Sequence, residues 1–204
     1  MRKIFPSGTS IVSVGPGEYF SANGDTVIKT LLGSCVAVCL YDKTTKIIGM
    51  NHFLLASDRL KRNSVIDSKA GYFGLQAMEL LINSMLDLGA VRRNLEAKIF
   101  GGANVLLAKN RSSTKNINDI GGNNIVFAEG FLKQENIPIR ASDVGGLQGR
   151  VIYFDSRDFS VYRKLIGVSL TEQVKVSEKR YFMNAIQEIN KPMPSVYYWD
   201  EQDN

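Results

Sequence analysis

Leu32-Gly-Ser-Cys35-Val-Ala-Val-Cys-Leu-Tyr41, then Asp42-Lys-Thr-Thr-Lys46, then Ile47-Ile-Gly-Met-Asn-His52-Phe-Leu-Leu55 is the stretch that decides the fold. Two apolar runs flank a polar segment, the pattern of an antiparallel β-hairpin. A turn centred between Lys43 and Thr44 sets Tyr41 opposite Lys46, Cys39 opposite Ile48, Ala37 opposite Met50 and Cys35 opposite His52. Directly opposed residues hold their Cβ atoms roughly 5 Å apart. Residues 35, 37 and 39 share a face with 48, 50 and 52, because strand side chains alternate with a period of two. The hairpin thus predicts a thiol and an imidazole side by side, over an apolar floor of Ala37 and Met50, with the Gly33 loop leaving the top open.

Outward from the hairpin, the chain reads as strands first and helices later. Strands are expected at residues 10–14 and 18–22, with a tight turn at Asn23-Gly24. A helix over residues 72–88 carries Gln76, Glu79, Asn83 and Asp87 on a wet stripe and Leu75, Met78, Ile82 and Met85 on a buried one, with Gly89 as its stop. A strand at residues 94–100 runs into Gly101-Gly102-Ala103, and a second helix is expected over 123–135. Strands follow at 137–141, 150–154 and 159–165, and residues 177–189 have helical spacing of Tyr181, Phe182, Ala185, Ile186 and Ile189. Without strict alternation of strands and helices, this is an α+β chain, a layered sheet or sandwich of mixed strands with flanking helices. No Pro-, Gly- or Ser-rich linker divides it.

Composition narrows the chemistry. The 204 residues are 44% hydrophobic and 22% charged, the balance of a globular protein, with a net charge of +5. The basic residues are scattered and not interleaved with aromatics in a stripe, which argues against nucleic-acid binding. The first residues have no apolar run of a signal peptide, and no stretch reaches the roughly 20 apolar residues of a membrane span. Cys35 and Cys39 form no disulfide framework, so a reducing cytoplasm is the expected compartment. His52 is the sole histidine. It leaves a zinc site with His52, Cys35 and Cys39 before carboxylates are needed, a poor set. Phosphate-loop, dinucleotide, G-x-S-x-G and H-E-x-x-H motifs are absent.

Cys35 and His52 remain. Cys35 follows a glycine at the start of a strand, where backbone N–H groups can face a developing oxyanion. A thiol becomes a nucleophile only beside a base or cation, and His52 is the base the hairpin offers. On residue type by itself Cys35 reads as structural or reactive, and His52 as a buried, satisfied histidine or a base. Cys39, mid-strand among apolar residues, reads as core.

At these residues the sequence resembles the chemoreceptor glutamine deamidase (CheD) family. The matching segments are Gly17-Glu-Tyr19, Thr30-Leu-Leu-Gly-Ser-Cys35-Val-Ala-Val38, Gly49-x-x-His52, Ala97-Lys-Ile-Phe-Gly-Gly-Ala103, Ile120-Gly-x-Asn-Asn124 and Asp143-x-Gly-Gly-x-x-Gly-Arg150. The resemblance implies a fold similar to toxin-type cysteine deamidases and hydrolysis of selected glutamines to glutamate in chemoreceptor cytoplasmic helices. It implies Cys35 as nucleophile and His52 as histidine, with no cofactor and no metal. Its third residue, a threonine six positions before the cysteine, falls on Lys29, and Thr30 lies one residue later and is the third candidate. A CheC-type phosphatase is an implied further partner, and a non-catalytic module regulating such a phosphatase is the alternative function. The domain reading is a deamidase-like catalytic domain at 1–167 and a C-terminal extension with an amphipathic helix at 168–204.

Overall fold

The computed structural model describes residues 5, 8–55, 69–104 and 120–190. Its strands and α-helices are β1 (Ser10–Ser13), β2 (Tyr19–Asn23), β3 (Thr26–Leu32), β4 (Val36–Asp42), β5 (Ile47–Asn51), α1 (Lys69–Asp87), β6 (Leu95–Gly101), α2 (Ile120–Gln134), β7 (Ile139–Val144), β8 (Arg150–Asp155), β9 (Val161–Leu165) and α3 (Val168–Asn190). One sheet runs β2-β5-β4-β6-β7 and the other β1-β3-β8-β9. Parallel pairs (β1 with β3, β6 with β7) sit among antiparallel ones, so the expected α+β layering of mixed strands is the architecture found.

β4 lies in the middle of the layers. All its residues are buried. Val36, Val38 and Leu40 pack with Met78, Leu81 and Ile82 of α1 and Phe127 and Phe131 of α2. Cys35, Ala37, Cys39 and Tyr41 pack against Ile28, Leu32, Ile152 and Phe154 of the second sheet. A strand covered on both faces reads as a continuous apolar run, which is why Val36-Ala-Val-Cys-Leu-Tyr41 lacks polar alternation. In α1 the buried line continues back through Gly74, where a Cβ would lie 2.7 Å from Leu55 and Phe127 atoms. Leu75, expected on the buried side, is one helical step off that line and is 39% exposed.

The hairpin closes in a different register from the expected one. Cys39 pairs with Met50, Tyr41 with Ile48 and Asp42 with Ile47, and an isolated bridge joins Val36 to Phe53. The cause is Asp42. Its carboxylate accepts the N–H groups of Thr44 (2.8 Å) and Thr45 (3.3 Å), and its carbonyl accepts from Lys46 N (2.9 Å), with Lys46 at φ 59°. This side-chain-capped loop spans Lys43 to Lys46 and moves the turn centre one residue along. Cys35 and His52 are therefore not directly opposed. A shift of two residues preserves faces, so both still project toward the second sheet.

β3 was not expected as a strand. Its Thr26-Val-Ile-Lys-Thr-Leu-Leu32 segment pairs with both β1 and β8 and brings Thr30 to the interface between sheets. α3 begins nine residues before the helix expected from Ser177.

β6 ends on Gly101, at φ 107°, where a Cβ would overlap the Cys35 carbonyl oxygen. Gly102 N donates to that same oxygen at 2.7 Å. Gly101→Ala is expected to cost on the order of 2–4 kcal/mol, combining positive-φ strain with displacement of the Cys35 backbone. A urea midpoint lowered at unchanged m-value reads the loss, and an unchanged midpoint would refute the close approach.

Candidate active site

The ends of β3, β4 and β5 meet α3 at one corner of the molecule. Cys35 immediately precedes β4 and His52 immediately follows β5. Both backbones are tied down. Val36 and Phe53 exchange N–H···O bonds (3.1 and 2.9 Å), His52 N donates to Glu18 O (2.9 Å) and Gly17 N to His52 O (2.7 Å). Asn124 of α2, fully buried, accepts from Leu55 N (2.8 Å) and donates to Ser34 O (2.8 Å), bridging the two arms. Ala103 N donates to Gly33 O (2.7 Å), Gly145 N to Gly101 O (2.8 Å) and Asn104 N to Gly146 O (2.8 Å). Arg150, 3% exposed, holds the Asp143 carboxylate and the Asp143 and Gly145 carbonyls from below. The glycine motifs of the sequence are thus a series of braces behind Cys35.

Thr30 and His52 share a hydrogen bond of 2.8 Å between Oγ1 and Nδ1, and Thr30 Oγ1 also donates to Val14 O at 2.7 Å. A hydroxyl carries one proton. Because that proton goes to the carbonyl, the contact with His52 is Nδ1–H donating to Oγ1. Nε2 is then the nitrogen with the free lone pair, and it is buried without a hydrogen-bond partner among the described residues. Lys29, the position six residues before Cys35, points to the other face and sits over the Tyr153 ring at 5.7 Å.

Cys35 Sγ, a ring nitrogen of His52 and a carboxylate oxygen of Glu178 lie within 4.8 Å of one another. Glu178 comes from α3. Its Oε1 accepts from Gly33 N (2.9 Å) and Cys35 N (3.2 Å), and its Oε2 from Ser34 N (3.0 Å) and Ser34 Oγ (2.7 Å). Three successive backbone N–H groups therefore converge on one point beside the thiol, a nest suited to an anion or oxyanion. The three side chains are also a potential metal cluster, but converging N–H dipoles repel a cation and already engage both carboxylate oxygens, so they make a poor cage.

Burial pushes the Cys35 thiol well up, and the adjacent Glu178 charge pushes it further. Burial pushes His52 down to about 4, against the pull of Glu178. Burial thus favours the thiol and the neutral imidazole in this pair. Cys39 is also raised by burial and lies mid-strand, away from the N–H nest.

The structure brings Cys35, His52 and Thr30 together. It departs from the sequence reading above the thiol: Cys35 is fully buried, and the space over Gly33 is filled by Val174 and Glu178 of α3. Glu178 was missed. The signal for it was a carboxylate one turn before Tyr181 and Phe182, on the apolar face of the helix, where an unpaired charge is costly. Asn124 was noted only as part of a motif.

The family model for CheD chemotactic sensory transduction matches residues 54–165. A probable chemoreceptor glutamine deamidase CheD 2 of Shewanella oneidensis is 52% identical over 194 residues, covering 94% of this chain and 96% of its own. A probable chemoreceptor glutamine deamidase CheD 1 of Geobacter sulfurreducens is 42% identical over 200 residues, covering 98% of each chain. Among solved structures, a Neisseria meningitidis protein of family model DUF152 is similar at a TM-score of 0.35 and 9% identity, over 68% of this chain and 63% of that one.

The single histidine makes the tautomer directly measurable. Nitrogen NMR is expected to find His52 as the Nδ1–H form in the native chain. Thr30→Ser should keep that form. Thr30→Val should lose it and destabilise the fold by about 1–3 kcal/mol, the cost of two buried polar groups left without a partner. An Nε2–H imidazole in the native chain would refute the assignment.

Proposed function

We propose, since the chain belongs to the CheD family of chemotactic sensory transduction proteins, that it hydrolyses glutamine side chains of chemoreceptors to glutamate and ammonia. Within that activity we assign Cys35 as nucleophile, His52 as general base and acid, and Thr30 as the group that orients His52. One observation carries the assignment: the N–H groups of Gly33, Ser34 and Cys35 converge beside a thiol whose neighbouring imidazole is held at Nδ1 by Thr30 and leaves Nε2 without a hydrogen-bond partner among the described residues.

A glutamine carboxamide entering this nest puts its oxygen on the N–H groups and its carbon against Cys35 Sγ. The thiol proton moves to His52 Nε2 as the S–C bond forms, and the negative charge on oxygen is met by the N–H dipoles. Collapse breaks the C–N bond, and ammonia departs with the proton that His52 returns. Water then gives a proton to Nε2 and attacks the thioester, which releases glutamate and restores the thiol. Thr30 keeps the proton on Nδ1 through each transfer, so Nε2 is always the exchanging nitrogen.

This reading takes residues 1–167 as the catalytic domain and 168–204 as an extension. The substrate is a cytoplasmic helix of a receptor, which sets the compartment. A CheC-type phosphatase, if it binds, would compete for the same face. Among the described residues no helix is long and apolar enough to cross a membrane.

Incubation of the full chain with a receptor cytoplasmic fragment should produce mass gains of about one dalton at particular glutamines, each an amide exchanged for a carboxyl. Cys35→Ala should abolish them, His52→Ala should slow them by roughly 10²–10⁴-fold, and Cys39→Ala should leave them in place. Undiminished deamidation by Cys35→Ala would sink the assignment of the nucleophile.

A further inference from the structure

The geometry points to α3 as an occupant of the substrate's seat: the Glu178 carboxylate lies where the glutamate product of a deamidated helix would lie, so the chain holds its own product mimic and α3 must leave before a receptor helix can enter. This rests on the reading of the Cys35 centre as the deamidation site. A substrate glutamine and Glu178 have side chains of the same length, and both are presented from a backbone outside the nest. Glu178 is 5% exposed, and among the described residues it forms no ion pair; backbone N–H groups and the Ser34 hydroxyl satisfy it. A carboxylate placed to serve His52 as the third member of a triad would bond Nδ1, but Thr30 holds that nitrogen.

The seat is shaped for a helix. A Cβ on Gly33 would lie 2.7 Å from Val174 Cγ1 and 2.9 Å from Glu178 Oε1, and one on Gly17 would overlap the Tyr181 ring. Two bare backbone segments thus accept one helical face, at positions 174, 178 and 181. The seating is also shallow. Among the described side chains of α3 only Val174 and Glu178 are buried, while Tyr181 and Phe182 are partly covered. A cavity of about 360 Å³ remains beside them, between α3 and Ser34, Leu54 and Ile120. While docked, α3 blocks the reaction twice: it takes the oxyanion donors, and its negative charge opposes ionisation of the thiol.

The test uses full-length chains. Glu178→Ala removes the mimic, and Tyr181→Ala loosens α3 without touching the nest. Each is expected to speed alkylation of Cys35 by iodoacetamide at least about tenfold, with Cys39 unlabelled, and to lower the KM for a receptor fragment. Glu178→Gln places a substrate amide in the nest. Its Cδ–N bond should break as Cys35 Sγ bonds Cδ, ammonia should leave with the thiol proton, and water should hydrolyse the thioester. The introduced amide should thus revert to glutamate, with a gain of about one dalton at position 178 that Cys35→Ala prevents. Alkylation no faster in either Glu178→Ala or Tyr181→Ala, or an introduced amide that persists, would overturn the proposal. If the native chain nevertheless deamidates the receptor fragment through Cys35, the catalytic reading stands and only the self-occupancy falls. Faster alkylation with no receptor deamidation by any variant would leave the occlusion standing and remove the proposed substrate.

Discussion

The two-sided burial of β4 is the constraint on which the rest of the molecule depends. A central strand with helices on one face and a second sheet on the other has no solvent along its length, so chemistry can occur only where it begins or ends. At the Asp42 end the strand turns sharply into β5. At the other end the chain arrives from β3 in the opposite sheet through Gly33 and Ser34. That short crossing leaves N–H groups without ladder partners, and they turn toward one another. The nest beside Cys35 is therefore a by-product of changing sheets, supported by Asn124 and the Gly101–Ala103 segment from behind.

The electrostatics of this corner follow from the same burial. A thiol and an imidazole taken out of water both favour their neutral forms, so the pair does not rest as an ion pair. The backbone dipoles of Gly33, Ser34 and Cys35 supply positive potential here without a buried charge. They suit a charge that exists only during reaction, because they need no rearrangement when it appears.

Much of this was legible in the sequence, and the gaps have physical causes. The common face of Cys35 and His52 followed from the period of two, which is indifferent to an even shift in register. The register itself was misread because the Asp42 side chain caps a longer loop than hydrophobicity marks. β3 was hidden because Thr26, Lys29 and Thr30 interrupt its apolar residues. Thr26 is bonded to Ser156 through its backbone N–H, Thr30 to Val14 and His52 through its hydroxyl, and Lys29 lies over Tyr153; the nearest of these partners is 16 positions away, so no local periodicity reveals them. Glu178 was the least legible residue, since its donors lie more than a hundred positions away and none is a side chain with a charge.

The Thr30–His52 bond has a mechanical consequence as well as a chemical one. Thr30 belongs to the four-stranded sheet and His52 extends a strand of the five-stranded sheet, so this bond crosses the interface between them. Sliding of one sheet over another is the soft deformation of a layered β-protein, because apolar faces have little directional preference. Here a short, directional bond in the dry interior acts as a rivet against that sliding. The orientation of His52 and the relative position of the two layers are then one degree of freedom, and a disturbance that shears the layers anywhere in the sandwich is felt at the imidazole.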